Sequence, residues 1–205
     1  MNKSGAWFEQ FHNKMSVSIK AIKAYLALYI KSIYEAIPLE LYAVLFGVFF
    51  VVALLLVSIK GFKNSIRLIL QVLFVEVVVL LYCFTVFCRA SIDEYRYRLI
   101  PFWRFRVNST DLQHSLLVEN MLNVLMFVPL GLLIGCAFKG IGWKRMLLVS
   151  LSISVSIEIL QYILRKGFAE TDDVIHNVVG CAVGYGIYCL FAWIWRKMPC
   201  VREKM

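Results

Sequence analysis

The chain has 205 residues, 61% of them hydrophobic and only 17% charged, against roughly 45–50% and about 25% in soluble domains. So little polar surface excludes a soluble domain, and the length allows one domain of several spanning helices at about 20 apolar residues each. The net charge of +9, from 22 Lys and Arg against 13 Asp and Glu, would suggest nucleic acid in a soluble protein; here the basic residues flank apolar runs and no nucleic-acid motif is visible, so anionic membrane lipids are the expected partners.

Residues 1–38 form a basic N-terminal segment. Within it, Ile19, Ile22, Leu26, Ile30 and Ile33 fall on one narrow helical arc over residues 16–37, while Lys20, Lys31 and Glu35 lie off it. Such an amphipathic helix suits the membrane interface, and packing on the rest of the protein is the equal alternative. Pro38 ends it. Lys20, Lys23 and Lys31 break the first apolar stretch, which argues against a cleavable signal peptide.

Residues 39–199 make the membrane domain, an all-α bundle of about five transmembrane helices. The spans are expected at about Leu39–Ile59, Ile66–Phe87, Leu116–Phe138, Met146–Leu164 and Val174–Trp195. These runs are continuously apolar, not alternating, which rules against a β-barrel. Between the second and third lies a longer loop, Arg89–Ser115, with Arg89, Arg96, Arg98, Arg104, Arg106 and several aromatic residues. A basic, aromatic segment of this kind lies in the head-group layer. The six cysteines include no CxxC pair and fall mostly inside apolar runs, so no disulfide and no metal site is expected.

Orientation follows from the basic residues beside the helix ends. With the N-terminus outside, the inside carries ten in three clusters at 60–67, 139–145 and 196–204, and the outside carries the other twelve. The raw count favours the reverse arrangement. The rule reads short loops best, and the two short loops, 60–67 and 139–145, place the N-terminus outside and the C-terminus in the cytoplasm.

Polar residues mark the last three spans. The third opens with Glu119, Asn120 and Asn123, then carries Pro129 and the small-xxx-small pair Gly131 and Gly135. On the fourth, Ser150, Ser154, Glu158, Gln161 and Arg165 trace one face, with Glu158 about 10 Å below Arg165. A carboxylate inside a membrane is costly and marks a functional path, unless a neighbouring helix bonds it for structural reasons. Glu76 in the second span is a rival or partner. The fifth opens with Asp172 and Asp173, either of which suits a helix start; Asp173, Asn177, Gly180 and Gly184 share a face. Alternating helix directions put the start of the third, the end of the fourth and the start of the fifth span on one side, under the arginine loop. Asn123, Glu158, Gln161, Arg165, Asp173 and Asn177 are therefore expected to line one cavity.

The same residues carry a resemblance. Arg98-Leu-Ile-Pro101-Phe102 is similar to a loop motif ending in Ile-Pro-Phe. Asn123 with Pro129 and Gly131, Glu158 with Gln161, and the stretch from Arg165 through Asp172, Asp173, Asn177 and Gly180 to Gly184 follow in order. Together, over roughly residues 89–190, they resemble the VanZ-like family of bacterial membrane proteins. Arg98 departs from the pattern, which commonly has Asn there. The resemblance implies a place in the bacterial cell membrane and a connection with resistance to glycopeptide antibiotics, chiefly teicoplanin.

Three functions remain open on the residues, the third being a plain scaffold protein in which changes to the polar residues have no effect. The first is a non-catalytic envelope protein that binds a lipid, a lipid-linked cell-wall precursor or the glycopeptide itself at the outer leaflet. In it Arg96, Arg98 and Arg165 contact phosphate or carboxylate, and Glu158 and Asp173 hold Arg165 or bind a sugar or amine. The second is an intramembrane enzyme or transporter with Glu158, Asp173 and His176 as acid and base. Against it stand the lack of an HExxH motif or serine elbow, and His176 lying off the Asp173–Asn177 face. No cofactor is expected.

Overall fold

The computed structural model describes residues 39–103 and 110–197, with the isolated positions 20, 23, 24 and 27. The amphipathic helix expected over 16–37, and Arg104 and Arg106 of the loop, lie outside the described residues or nearly so. Five helices dominate: α1 (Leu39–Lys60), α2 (Phe62–Tyr82), α3 (Thr110–Ala137), α4 (Trp143–Ile163) and α5 (Thr171–Lys197). All five are long and apolar enough to cross a membrane. The fold is the all-α membrane bundle that the apolar runs predict.

The helix ends differ from expectation in instructive ways. The first turn of α2 holds Lys63 and Asn64 and was too polar to read as part of a span. A π-helical turn, Cys83–Phe87, carries that helix to its predicted end. Helix α3 starts at Thr110, about a turn and a half before the apolar run begins at Leu116, because polar residues extend a helix beyond the hydrocarbon at no cost in water. The long loop is not irregular throughout. It contains β1 (Arg96–Arg98), which pairs in parallel with β2 (Phe168–Glu170) in the register Arg96 to Phe168, Tyr97 to Ala169 and Arg98 to Glu170. Neither three-residue strand was predicted.

The most extensive interface joins α3 and α5. They run parallel, as two odd-numbered spans must, with Gly180 against the Val124 carbonyl and Gly184 against that of Val128. Gly131 meets Cys181 and Tyr185 in return. A Cβ at any of the three would overlap backbone atoms of the facing helix, so these glycines set the interhelical distance. Helix α4 packs antiparallel to α5: Asn177 Nδ2 donates to Ser154 Oγ at 2.9 Å, and the Tyr185 hydroxyl donates to the Ile141 carbonyl. Phe127, Leu130, Ile134, Met146 and Ile157 fill the space between. Helix α1 buries almost nothing and packs chiefly on α2, where Ser65 Oγ donates to the Leu56 carbonyl at 2.6 Å.

Candidate functional site

Both strands and the ends of α2 and α4 meet the start of α5 at one end of the bundle. Helix α4 stops there in a Schellman motif. The Lys166 amide donates to the Gln161 carbonyl at 2.8 Å and the Arg165 amide to that of Tyr162 at 3.2 Å. The motif needs a left-handed residue, and Arg165, not glycine, takes it at φ 53. The chain then turns through Gly167 into β2 and enters α5 at Thr171.

The loop from α2 is fastened across this turn. The Ile92 amide donates to the Arg165 carbonyl and Lys166 Nζ to the Arg89 carbonyl, both at 2.8 Å. At the far end of β1, the Phe102 amide donates to Asp172 Oδ1 at 2.5 Å, and Thr171 Oγ1 to the Leu99 carbonyl at 3.2 Å. Phe102 is also left-handed, at φ 59. Pro101 and Phe102 of the loop motif thus form an exposed turn anchored through the Phe102 backbone to Asp172, which is 1% exposed.

Below the sheet is a groove of about 720 Å³. Val155, Ile159 and Tyr162 of α4 form one wall, and Tyr97, Leu99 and Ala169 the roof. Thr171 and Val174 of α5 close the far side. Glu158 and Glu170 also line it, and none of the described residues lining it is basic. Val155 and Ile159 are 38% and 52% exposed, so the groove opens along the lipid-facing side of α4.

Glu158 is 7% exposed, and its Oε2 accepts from the Glu170 amide at 2.8 Å. The carboxylate therefore ties α4 to β2. Asp173, Arg89 and Glu170 are the charged groups that act on it. Gln161 beside it is buried and donates to the Thr85 carbonyl at 2.8 Å, within the π-helical turn. That turn exposes carbonyls an α-helix would have used, and Gln161 takes one of them. Asn177 is bonded to Ser154. With Val124 against Gly180, the half-buried Asn123 lies at about the level of Asn177.

The arginines lie elsewhere. Arg98 stacks over Trp103 and Phe168, with ring centroids 3.9 and 4.7 Å away, and its guanidinium is 3.7 Å from Glu170 Oε1. Arg96 stacks over Phe168 and pairs with Glu94 at 3.7 Å. In the pleat these two share the face of Phe168, while Tyr97 and Ala169 turn to the groove. Arg165 is exposed and donates to the Asp93 carbonyl and the Tyr95 hydroxyl at 3.4 and 3.2 Å. The expectation that Glu158 and Asp173 hold Arg165 is corrected: a residue in the left-handed position after a helix end projects away from that helix's last turns.

Two residues central to this arrangement carried no role in the reading of the sequence. Glu170 joins Glu158, Arg98 and Trp103, whose indole Nε1 donates to its Oε2 at 3.2 Å. Arg89 acts on Glu158 and packs against Gly167. The available signal for Glu170 was a third acidic residue, with Asp172 and Asp173, in the short stretch between two spans.

A curated relative, Protein VanZ of Enterococcus faecium, is 40% identical over 68 residues, which make up 33% of this chain and 42% of that protein. The match thus spans less than half of the relative's length. No solved structure matches. The VanZ/LLP1 family model matches residues 69–192, or 124 of 205, beginning inside α2 and taking in the π-helical turn, both strands, the groove and the paired glycine faces; the chain belongs to the VanZ/LLP1 family.

Proposed function

We propose that this protein acts in the bacterial cell envelope to lower susceptibility to glycopeptide antibiotics, teicoplanin above all, by holding a lipid or lipid-linked ligand at the outer leaflet. Family membership supports the link to the envelope and to resistance. The observation that carries the ligand-binding part is the groove: apolar walls, an opening on the lipid side, and a buried carboxylate in its lining. Its volume is within the roughly 300–1,000 Å³ of ligand pockets. The N-terminus is outside and the C-terminus cytoplasmic, so the groove and its sheet lie at the outer surface. Arg96 and Arg165, both exposed, then pair with lipid phosphates around the sheet.

Expression in a susceptible Gram-positive host tests the reading, with growth measured against teicoplanin and vancomycin. The expected result is growth at higher teicoplanin concentrations. Ile159→Trp, which fills the groove from its lipid side, removes that protection at unchanged protein level. Full protection with the groove filled would refute the role of the groove.

A further inference from the structure

Arg96 and Arg98 are two residues apart on β1, so the pleat puts both side chains on one face, together with their cross-strand partners Phe168 and Glu170. The Phe168 ring holds both guanidiniums, whose carbons lie 5.2 and 4.7 Å from its centroid. The sum of these two distances bounds the separation of the carbons at about 10 Å. Trp103 stacks on Arg98 as well, at 3.9 Å. Stacking occupies the flat faces of a guanidinium and leaves open its edges, which carry the N–H donors. It also fixes in advance a side chain that is otherwise costly to order. These edges are unspent: among the described residues neither arginine donates a hydrogen bond. Glu94 and Glu170 pair with them at 3.7 Å, beyond hydrogen-bond reach, and Glu94 is 76% exposed, so its pairing is screened. The side chains of Arg96 and Arg98 are 45% and 41% exposed, so a ligand reaches both. Arg165, by contrast, already directs donors to the Asp93 carbonyl and the Tyr95 hydroxyl.

Two forks held on one ring select a particular acceptor. A carboxylate or a phosphate diester carries one charge and two free oxygens, which a single bidentate fork satisfies. Carboxylates already stand beside both arginines without closing a fork. A phosphate monoester carries about −1.5 to −2 charge and three free oxygens, and a diphosphate more of both, so each can close two forks at once. Deepening the reading that the arginines of the sheet meet phosphate, we propose that Arg96 and Arg98 form one site for a terminal phosphate monoester or a diphosphate. Phe168 sets the distance between the forks, and Trp103 holds the second of them. The diester head groups of ordinary membrane lipids occupy the site weakly.

The test uses the purified full-length chain in uncharged detergent, titrated by native mass spectrometry with hexadecyl phosphate, its methyl ester and inorganic pyrophosphate. The monoester is expected to bind about tenfold more tightly than the methyl diester, the gain from one further charge-assisted contact. Arg96→Gln removes one fork and brings the two lipids to equal affinity, with hydrogen exchange at 97–102 unchanged to show that the sheet is intact. Arg96→Lys keeps the charge without the fork, and most of the preference is lost. Lys144→Gln, at the far end of α4, keeps the preference in full. Pyrophosphate that binds like the monoester marks a soluble ligand, and pyrophosphate that binds far more weakly marks a membrane-borne one; either supports the paired site. Equal binding of monoester and diester by the unaltered chain, or a full preference in Arg96→Lys, overturns it. Protection that survives Ile159→Trp refutes the groove and leaves this result standing, so the two readings fail separately.

Discussion

Replacing Asp172 with alanine should release the Ile-Pro-Phe turn without unfolding the bundle. Asp172 is almost completely buried and accepts the Phe102 amide bond at 2.5 Å. A hydrogen bond to a charged group contributes about 1.5–3 kcal/mol, and its loss leaves a backbone donor unpaired. Phe102 adds to the effect. At φ 59 it sits in a conformation that costs a residue with a Cβ roughly 1–2 kcal/mol, and the turn recovers that cost when it lets go. The Thr171 bond to Leu99 and the strand pairing depend on the same turn and open with it, while the helices stay packed, so the loss is local to the roof. Taking about 2 kcal/mol as the net change, opening becomes about thirtyfold more frequent. Hydrogen exchange in lipid nanodiscs reads this directly: amides at 97–102 should exchange about thirtyfold faster, with α3 and the core of α5 unchanged. Asp172→Asn retains an acceptor without the charge and should fall between. Unchanged exchange at 97–102 in a folded Asp172→Ala protein would refute the anchoring role.

Gly180→Ala should lower the folded yield and melting temperature sharply, by roughly 1–3 kcal/mol or more, because the new methyl overlaps the Val124 backbone; Gly47→Ala, with open space around it, should be neutral in the same assay. Arg165→Gly should keep or raise stability by about 1 kcal/mol, since glycine takes the left-handed position freely, while teicoplanin protection falls if the guanidinium meets lipid phosphate; a stable variant with full protection removes Arg165 from the functional set. In a cysteine-free background, a cysteine at the exposed Glu94 should react with an impermeant thiol reagent on intact cells and one at Gly142 should not; the opposite pattern reverses the orientation.

The spans were legible because the bilayer imposes one requirement on each helix, a long apolar run, and that requirement is written in consecutive residues. The glycine faces were legible for a related reason. A four-residue spacing of glycines fixes which side of a helix admits a neighbour, though it left open whether α5 would meet α3 or α4. What was not legible depends on long-range pairing. The β1–β2 pair joins residues 72 apart in register, Arg96 to Phe168, and three-residue strands give no periodic signal. The placement of the arginines was not legible on the same account: the pleat and the Schellman turn, not charge and loop position, decide where their side chains go. Glu158 was found from the cost of burying a carboxylate, but its partner is a backbone amide, which no side-chain pattern announces.

The sheet cannot hold itself. A pair of three-residue strands is marginal alone, and here each end of it is drawn into a left-handed residue, Arg165 before β2 and Phe102 after β1. Four bonds from outside the ladder offset this: Ile92 to the Arg165 carbonyl, Lys166 to Arg89, Phe102 to Asp172 and Thr171 to Leu99. The residues that a sequence marks as a polar cluster therefore divide by physical role. Asp172 and Phe102, with the backbone of Arg165, build and fasten the roof of the groove. Glu158 ties β2 to α4 through one oxygen and also lines the groove. Lost protection in an Asp172 or Phe102 variant consequently reports a displaced roof and says nothing about ligand contact. A substitution implicates the ligand only when it removes protection and leaves hydrogen exchange at 97–102 as it was, a condition that Glu158→Gln and Ile159→Trp can meet and Asp172→Ala cannot.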